Sequence, residues 1–238
     1  MAALDAWATT HRGRPLQQHR LSDLGRIECT PVDSADALTR WQTLLDAEHF
    51  LGAGPLVGRR LRYLVRSEHF GDVAALAFSA PAWRLRARDR WIGWSDATRA
   101  AHLDRVVCNS RLLVRGHLRV TGLASHVLAQ VLGRLAGDWA AHYGERPVLV
   151  ETFVDRRRHR GGCYRAANWT YVGDTQGRGR NDRDHASDIG VKAIHLYPLA
   201  RDWRRALGAP AQAPCTPDAD DWARHEFAHV RLGDQRLQ

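Results

Sequence analysis

Short apolar or alternating stretches, broken by two stretches of helical rhythm, set the order of elements expected along the chain. Ile27–Val32 predicts a strand. Ala37, Leu38, Trp41, Leu44 and Leu45 then recur at helical spacing behind Asp33 or Ser34, either of which can cap the helix, and Gly52 and Gly54-Pro55 close it. Arg60–Arg66 alternates and Val73–Phe78 is continuously apolar; Ser67–Asp72 between them, with Gly71, suits a hairpin. Val106–Val114 predicts a strand that is polar only at Asn109, Ser110 and Arg111.

The second helical rhythm is the longer one. Leu123, Val127, Leu128, Val131, Leu132, Leu135 and Trp139 form one stripe over Leu123–Tyr143, with Gly144 and Pro147 as the stop. Pro147–Val154 predicts a buried strand interrupted by Glu151, Cys163–Asn168 a short helix, and Trp169–Val172 and Val191–Leu199 two further strands. The order is β-α-β-β-β-α-β-α-β-β, an α/β fold in one domain over 26–205. Residues 1–25 read as a loosely held arm and 206–238 as a tail.

Composition narrows the class. A hydrophobic fraction of 44% over 238 residues supplies a core. No stretch reaches about 18 consecutive apolar residues and the start lacks an apolar signal core, so no membrane span is expected and a cytoplasmic location is the default. Cys29, Cys108, Cys163 and Cys215 form no C-x-x-C pair, and no convincing helix carries a His-x-x-x-His pair. No metal site is therefore expected. The net charge of +9 comes almost wholly from arginine, Lys192 being the lone lysine, which makes a polyanion a reasonable partner.

Several residues break the apolar pattern where chemistry can use them. Arg119-Val-Thr121-Gly122-Leu123-Ala124 leads from a strand into the long helix, where unpaired backbone N–H groups and small residues can cradle a phosphate. Equally, Gly122 can simply let the chain turn. Glu151 is either a general base of raised pKa or a carboxylate on a solvated face or paired with Arg111. Cys163, at a helix start, is either a thiolate of lowered pKa or a packed thiol. Asn109, Ser110 and Arg111 either bind an acceptor or mark a bulge. His126 either faces the site or packs. In Trp83–Trp94 four arginines alternate, and residues such as Arg86 and Trp91 can meet phosphates and stack bases. Arg156–Arg160 and Arg178–Arg183 add two further basic clusters.

The element order and the R-x-x-G-x-A pattern of Arg119, Gly122 and Ala124 resemble the GNAT superfamily of acyl-CoA-dependent N-acyltransferases. That resemblance implies a mixed central sheet with helices on both faces and an acetyl-CoA or other acyl-CoA donor. Its pyrophosphate would lie on Arg119, Thr121, Gly122, Leu123 and Ala124. It puts Tyr164 where the family often has the general acid for the leaving thiolate, with Asn168-Trp169 in place of the family's Gly-Phe. The acceptor is an amine on a small molecule or borne by RNA or DNA. Six ordered segments, at 83–94, 106–114, 122–128, 146–155, 161–169 and 177–180, more closely resemble the DruA family of the Druantia anti-phage system, also met beside transposase genes. That resemblance leaves open a second role, a non-catalytic nucleic-acid-binding accessory.

Overall fold

The computed structural model describes residues 18–176 and 190–210. Seven strands form one sheet in the order β1-β2-β3-β4-β5-β7-β6. They are β1 (Ile27–Pro31), β2 (Arg60–Ser67), β3 (Gly71–Ser79), β4 (Val106–Val114), β5 (Leu149–Asp155), β6 (Thr170–Asp174) and β7 (Lys192–Pro198). Neighbours pair antiparallel except β4 and β5, which run parallel. A parallel pair needs a long crossover, and the 21-residue helix α4 (Leu123–Tyr143) provides it.

Both faces of the sheet are covered. Helix α1 (Ala35–Glu48) starts on Ser34, whose hydroxyl accepts from the Ala37 N–H. It presses Trp41 and Leu45 onto Leu64, Ala75, Ala77 and Leu113. On the opposite face α4 lays its stripe over Tyr63, Val65, Leu76, Phe78 and Val150, joined by the short helix α5 (Gly162–Ala166). With helices on both sides, Val73–Phe78 is buried throughout, which explains its uninterrupted apolar run.

The described chain departs from the expected order in one region. Trp83–Trp94 forms no arginine-alternating surface strip. Arg86–Ile92 is helix α2, closed by left-handed Gly93, and Asp96–His102 is helix α3, capped by Ser95. Leu85, Arg88, Trp91 and Ile92, at helical spacing, all face inward. With helix α6 (Trp203–Ala206) they cover β5, β7 and β6 on the same face as α1.

Two residues from the expected arm and tail reach the core. Leu21–Leu24 is a 3-10 turn whose Leu24 is fully buried, and the Leu24 carbonyl accepts from the Ser67 hydroxyl. Leu207, expected in the tail, is likewise fully buried, and its carbonyl accepts from the Trp94 indole N–H at 2.8 Å. Cys215 and Arg178–Arg183 lie outside the described residues.

Candidate active site

The parallel pairing of β4 with β5 runs from Val106–Leu149 to Asn109–Thr152 and goes no further. Ser110 is the extra residue of a bulge, since Ala77 pairs with Arg111 and Phe78 with Asn109. Beyond that point the strands part. The connections from their C-terminal ends lead to the start of α4 and to α5, so the residues expected to carry chemistry gather around one opening.

On the α4–α5 face of this opening lies a buried polar knot. Tyr164, in α5, donates its hydroxyl proton to Asn109 Oδ1 at 2.8 Å and sits 3.2 Å from the Thr152 hydroxyl. The Asn109 amide donates to the carbonyls of Ala77 and Arg111, at 3.1 and 3.0 Å. Both amide protons are thus committed, which turns Oδ1 towards Tyr164 and makes the phenol the donor. Burial holds the Tyr164 pKa above its ordinary value, so the proton stays on oxygen. Asn109, expected to touch an acceptor, instead has its polar atoms engaged within the protein.

His195, unremarkable within its apolar strand, is the residue the sequence reading passed over. It is fully buried in β7 opposite Thr152, its ring stacked near Tyr164 with centroids 6.0 Å apart. No described residue bonds either ring nitrogen, and burial, followed by the charges of Arg165 and Arg156, pushes its pKa down to about 4. Gly161, left-handed at φ +67°, lets the chain pass this ring; a Cβ there would stand 3.3 Å from His195 Cε1.

On the other face Glu151 is fully buried and holds Arg88, not Arg111. Its Oε2 accepts from Arg88 Nη1 at 2.7 Å and its Oε1 from the Ala82 N–H at 2.7 Å. Burial pushes the Glu151 carboxyl upward, against the pull of Arg88 and of the Ala82 N–H. Arg88 also donates to the Ala82 carbonyl and to Asp89. Arg111 serves elsewhere: its Nε donates to the Gly52 carbonyl at 2.9 Å.

That bond anchors a roof. The α1–β2 loop is tied to β4 through Gly52, while Phe50 meets His159, just past the end of β5, with ring centroids 6.1 Å apart. The loop therefore spans the parted strands. His49, stacked on Phe50, is pushed down to about 4 by burial and then by the charges of Arg111 and His159.

The start of α4 follows β4 in the chain. Gly122 is its N-cap at φ +79°, a left-handed conformation that favours glycine, and Arg119 is left-handed at φ +40°. The N–H groups of Leu123 and His126 are used by Val120 and Gly122 carbonyls, whereas no described residue accepts from those of Ala124 or Ser125. An open hollow of about 430 Å³ is lined by Gln18, Arg119, Val120 and Thr121 of the turn before the helix. Residues 18–21 run along this turn: His19 bridges to Val120, and Leu21 is the nearest side chain to Gly122. Leu123 is buried in the core and Ala124 half-buried.

Other expected residues stand apart. Trp91 is buried, its face covered by Trp203 at 4.7 Å and 4°, so it offers no ring for a base; Arg86 is exposed on α2. Burial raises the Cys163 thiol above its ordinary value, contrary to the lowered pKa expected of a nucleophile. His126 bonds Gln130, which accepts from Cys29 Sγ. Asn168 takes φ +62°, so the turn before Trp169 keeps its left-handed residue without a glycine. Among the described residues no cluster of potential ligands could hold a metal ion, and no helix is long and apolar enough to cross a membrane.

The strand order, with its one parallel pair opened at the carboxyl ends, is that of a mixed-sheet α/β domain. Residues 21–201 match the family model described as Druantia protein DruA, and the chain belongs to that family. No curated protein matches it. Similar solved structures include spermidine N-acetyltransferase from Vibrio cholerae in complex with CoA and spermine. It is 7% identical, covering 73% of this chain and 95% of that one, with a TM-score of 0.47. A putative phosphinothricin N-acetyltransferase is 12% identical, covering 74% and 99%, with a TM-score of 0.47. A mutant form of the SpeG spermidine N-acetyltransferase from Vibrio cholerae is 9% identical with a TM-score of 0.38; the match takes in 59% of this chain and 64%, under two thirds, of that one.

Proposed function

We propose that this DruA-family protein moves an acyl group from acetyl-CoA or another CoA-type thioester to an amine acceptor, in a setting of anti-phage defence or transposition. The observation that carries the reading is the opening between β4 and β5, flanked by a glycine-capped helix start and a buried phenol. In open α/β sheets the crevice outside the strands' carboxyl ends is the habitual ligand site.

In this reading the free N–H groups of Ala124 and Ser125 and the Arg119 guanidinium hold the pyrophosphate, with Thr121, Gly122 and Leu123 shaping the backbone beneath it. The amine nitrogen bonds to the acyl carbon, the C–S bond breaks and the thiolate takes the Tyr164 proton; the proton that the amine gives up passes to water, and water returns one to the Tyr164 oxygen, so charge and atoms balance. Thr152 and Asn109 hold the phenol for that transfer. Glu151, expected as a base, is assigned here as a positioning residue, because both its oxygens are occupied by Ala82 and Arg88. The Arg111 guanidinium beneath the roof lowers an entering ammonium's pKa and favours the free amine as nucleophile.

Calorimetry of the full chain with acetyl-CoA tests the donor site. Saturable binding that is lost in Arg119→Glu is expected. Absence of heat at millimolar ligand, or unchanged binding in Arg119→Glu, overturns it.

A further inference from the structure

The roof and the loop after β5 meet in a surface whose composition the polar knot does not explain. Phe50 and Leu51, at the tip of the roof, are each 48% exposed. Phe50 is held in place rather than dangling: His49 stacks on it at 4.9 Å and 22°, and the Arg158 guanidinium lies 4.8 Å from its ring centroid. Residues 155–165 carry five arginines against one aspartate, Asp155, and Arg156 turns away to Asp174 at 2.9 Å. Arg158, with 57% of its side chain exposed, reaches Asp155 only at 3.8 Å, and His159 and Arg160 beside it are exposed. An aromatic shelf is thus fixed at the rim of the opening, next to the positive charge of Arg158 and Arg160.

The chemistry of this rim selects its partner. A polyamine is repelled by it. An acidic peptide satisfies the arginines but leaves the ring unused. A duplex presents phosphates but keeps its bases stacked inside. A single strand offers both a phosphate backbone for the arginines and free base faces for the ring.

We infer that the roof and the β5–α5 loop form a recognition site for single-stranded nucleic acid, in which a base takes the place of the Arg158 guanidinium on the Phe50 ring, opposite the stacked His49, and the displaced Arg158 and Arg160 meet the flanking phosphates. The surface carries this binding by itself; that the strand also bears the acceptor amine rests on the acyl-transfer reading above.

Fluorescence anisotropy with the full chain tests it, using a labelled 12-nucleotide single strand, the matching duplex and a polyglutamate competitor between 50 and 200 mM salt. The single strand is expected to bind at least tenfold more tightly than the duplex and to resist polyglutamate. Phe50→Ala should weaken binding about 5- to 150-fold, the loss typical of one stacked base, while Phe50→Tyr retains it. Arg158→Gln should reduce the slope of log affinity against log salt by about one. Both positions are exposed, and an unchanged melting temperature confirms that the variants fold. Equal affinity of Phe50→Ala and the parent, preference for duplex, displacement by polyglutamate, or an unaltered slope in Arg158→Gln overturns the inference. Strand binding by a chain that ignores acetyl-CoA keeps this site and removes the transfer reading; acetyl-CoA binding without strand binding does the reverse.

Discussion

Arg88 and Glu151 form a fully buried ion pair at 2.7 Å, joining helix α2 to the middle of β5. Removing one partner of such a pair leaves a charge stranded in the core, at a cost of about 3–5 kcal/mol. Arg88→Met should therefore destabilise the domain by about that amount at neutral pH, read from urea unfolding. Adding Glu151→Gln removes the stranded charge and should restore most of the loss. A double variant as unstable as the sum of its parts would show that the pair has no such coupling.

The knot around Tyr164 makes a graded prediction. Tyr164→Phe leaves Asn109 Oδ1 without its donor and should cost about 1–3 kcal/mol. Asn109→Asp should cost more, because it turns an oxygen towards the Ala77 and Arg111 carbonyls that now accept from the amide. Thermal and chemical unfolding of the two variants check the order. If Tyr164 also protonates the leaving thiolate, Tyr164→Phe should lower turnover by about 10²–10⁴-fold while acetyl-CoA affinity holds. Equal turnover rules out that role.

Acid stability should carry the mark of His195 and His49. Both are held down to about 4 from an ordinary 6.5, so between those values the unfolded chain binds more protons than the folded one. Stability is then full above about pH 6.5 and declines as pH falls towards 4. His195→Phe removes one of the two groups and sacrifices no hydrogen bond to a described residue. Its unfolding free energy at pH 7 should lie within about 1 kcal/mol of the parent's or above it, with a shallower acid decline. An unchanged decline would refute the assignment.

Leu24 distinguishes a docked N-terminal segment from a loose arm. Its side chain is fully buried among Val65, Val73 and Val127, and Leu24→Ala should cost about 2–5 kcal/mol. A change under about 0.5 kcal/mol, measured by urea unfolding, would mean that residues 21–24 do not contribute to the core.

How far the sequence could be read depended on whether apolar rhythm or a distant partner decided the structure. β3 and α4 were plain in it, because Val73–Phe78 and the Leu123–Trp139 stripe each meet the core through unbroken apolar positions. Helix α2 was not, because one of its inward positions is Arg88. The spacing Leu85, Arg88, Trp91, Ile92 is helical, but a charged residue belongs in such a stripe only when a buried carboxylate answers it. Glu151, interrupting its strand, was that answer and could have been matched to it. Tyr164 and the α4 start were legible through family pattern, while the knot with Asn109 and Thr152 was not, since it depends on where β4 ceases to pair. His195 gave no local signal: its isolation arises from α5 and β6 closing over it.

In the proposed function a CoA-type thioester sits at the opening with its phosphates on the start of α4. Hydrogen exchange of the full chain, with and without acetyl-CoA, locates such a ligand directly. Slowed exchange is expected at Ala124 and Ser125 and around Asn109 and Tyr164, with the outer strand β1 unaffected. Binding without protection at Ala124 and Ser125, or protection confined to other elements, would contradict it.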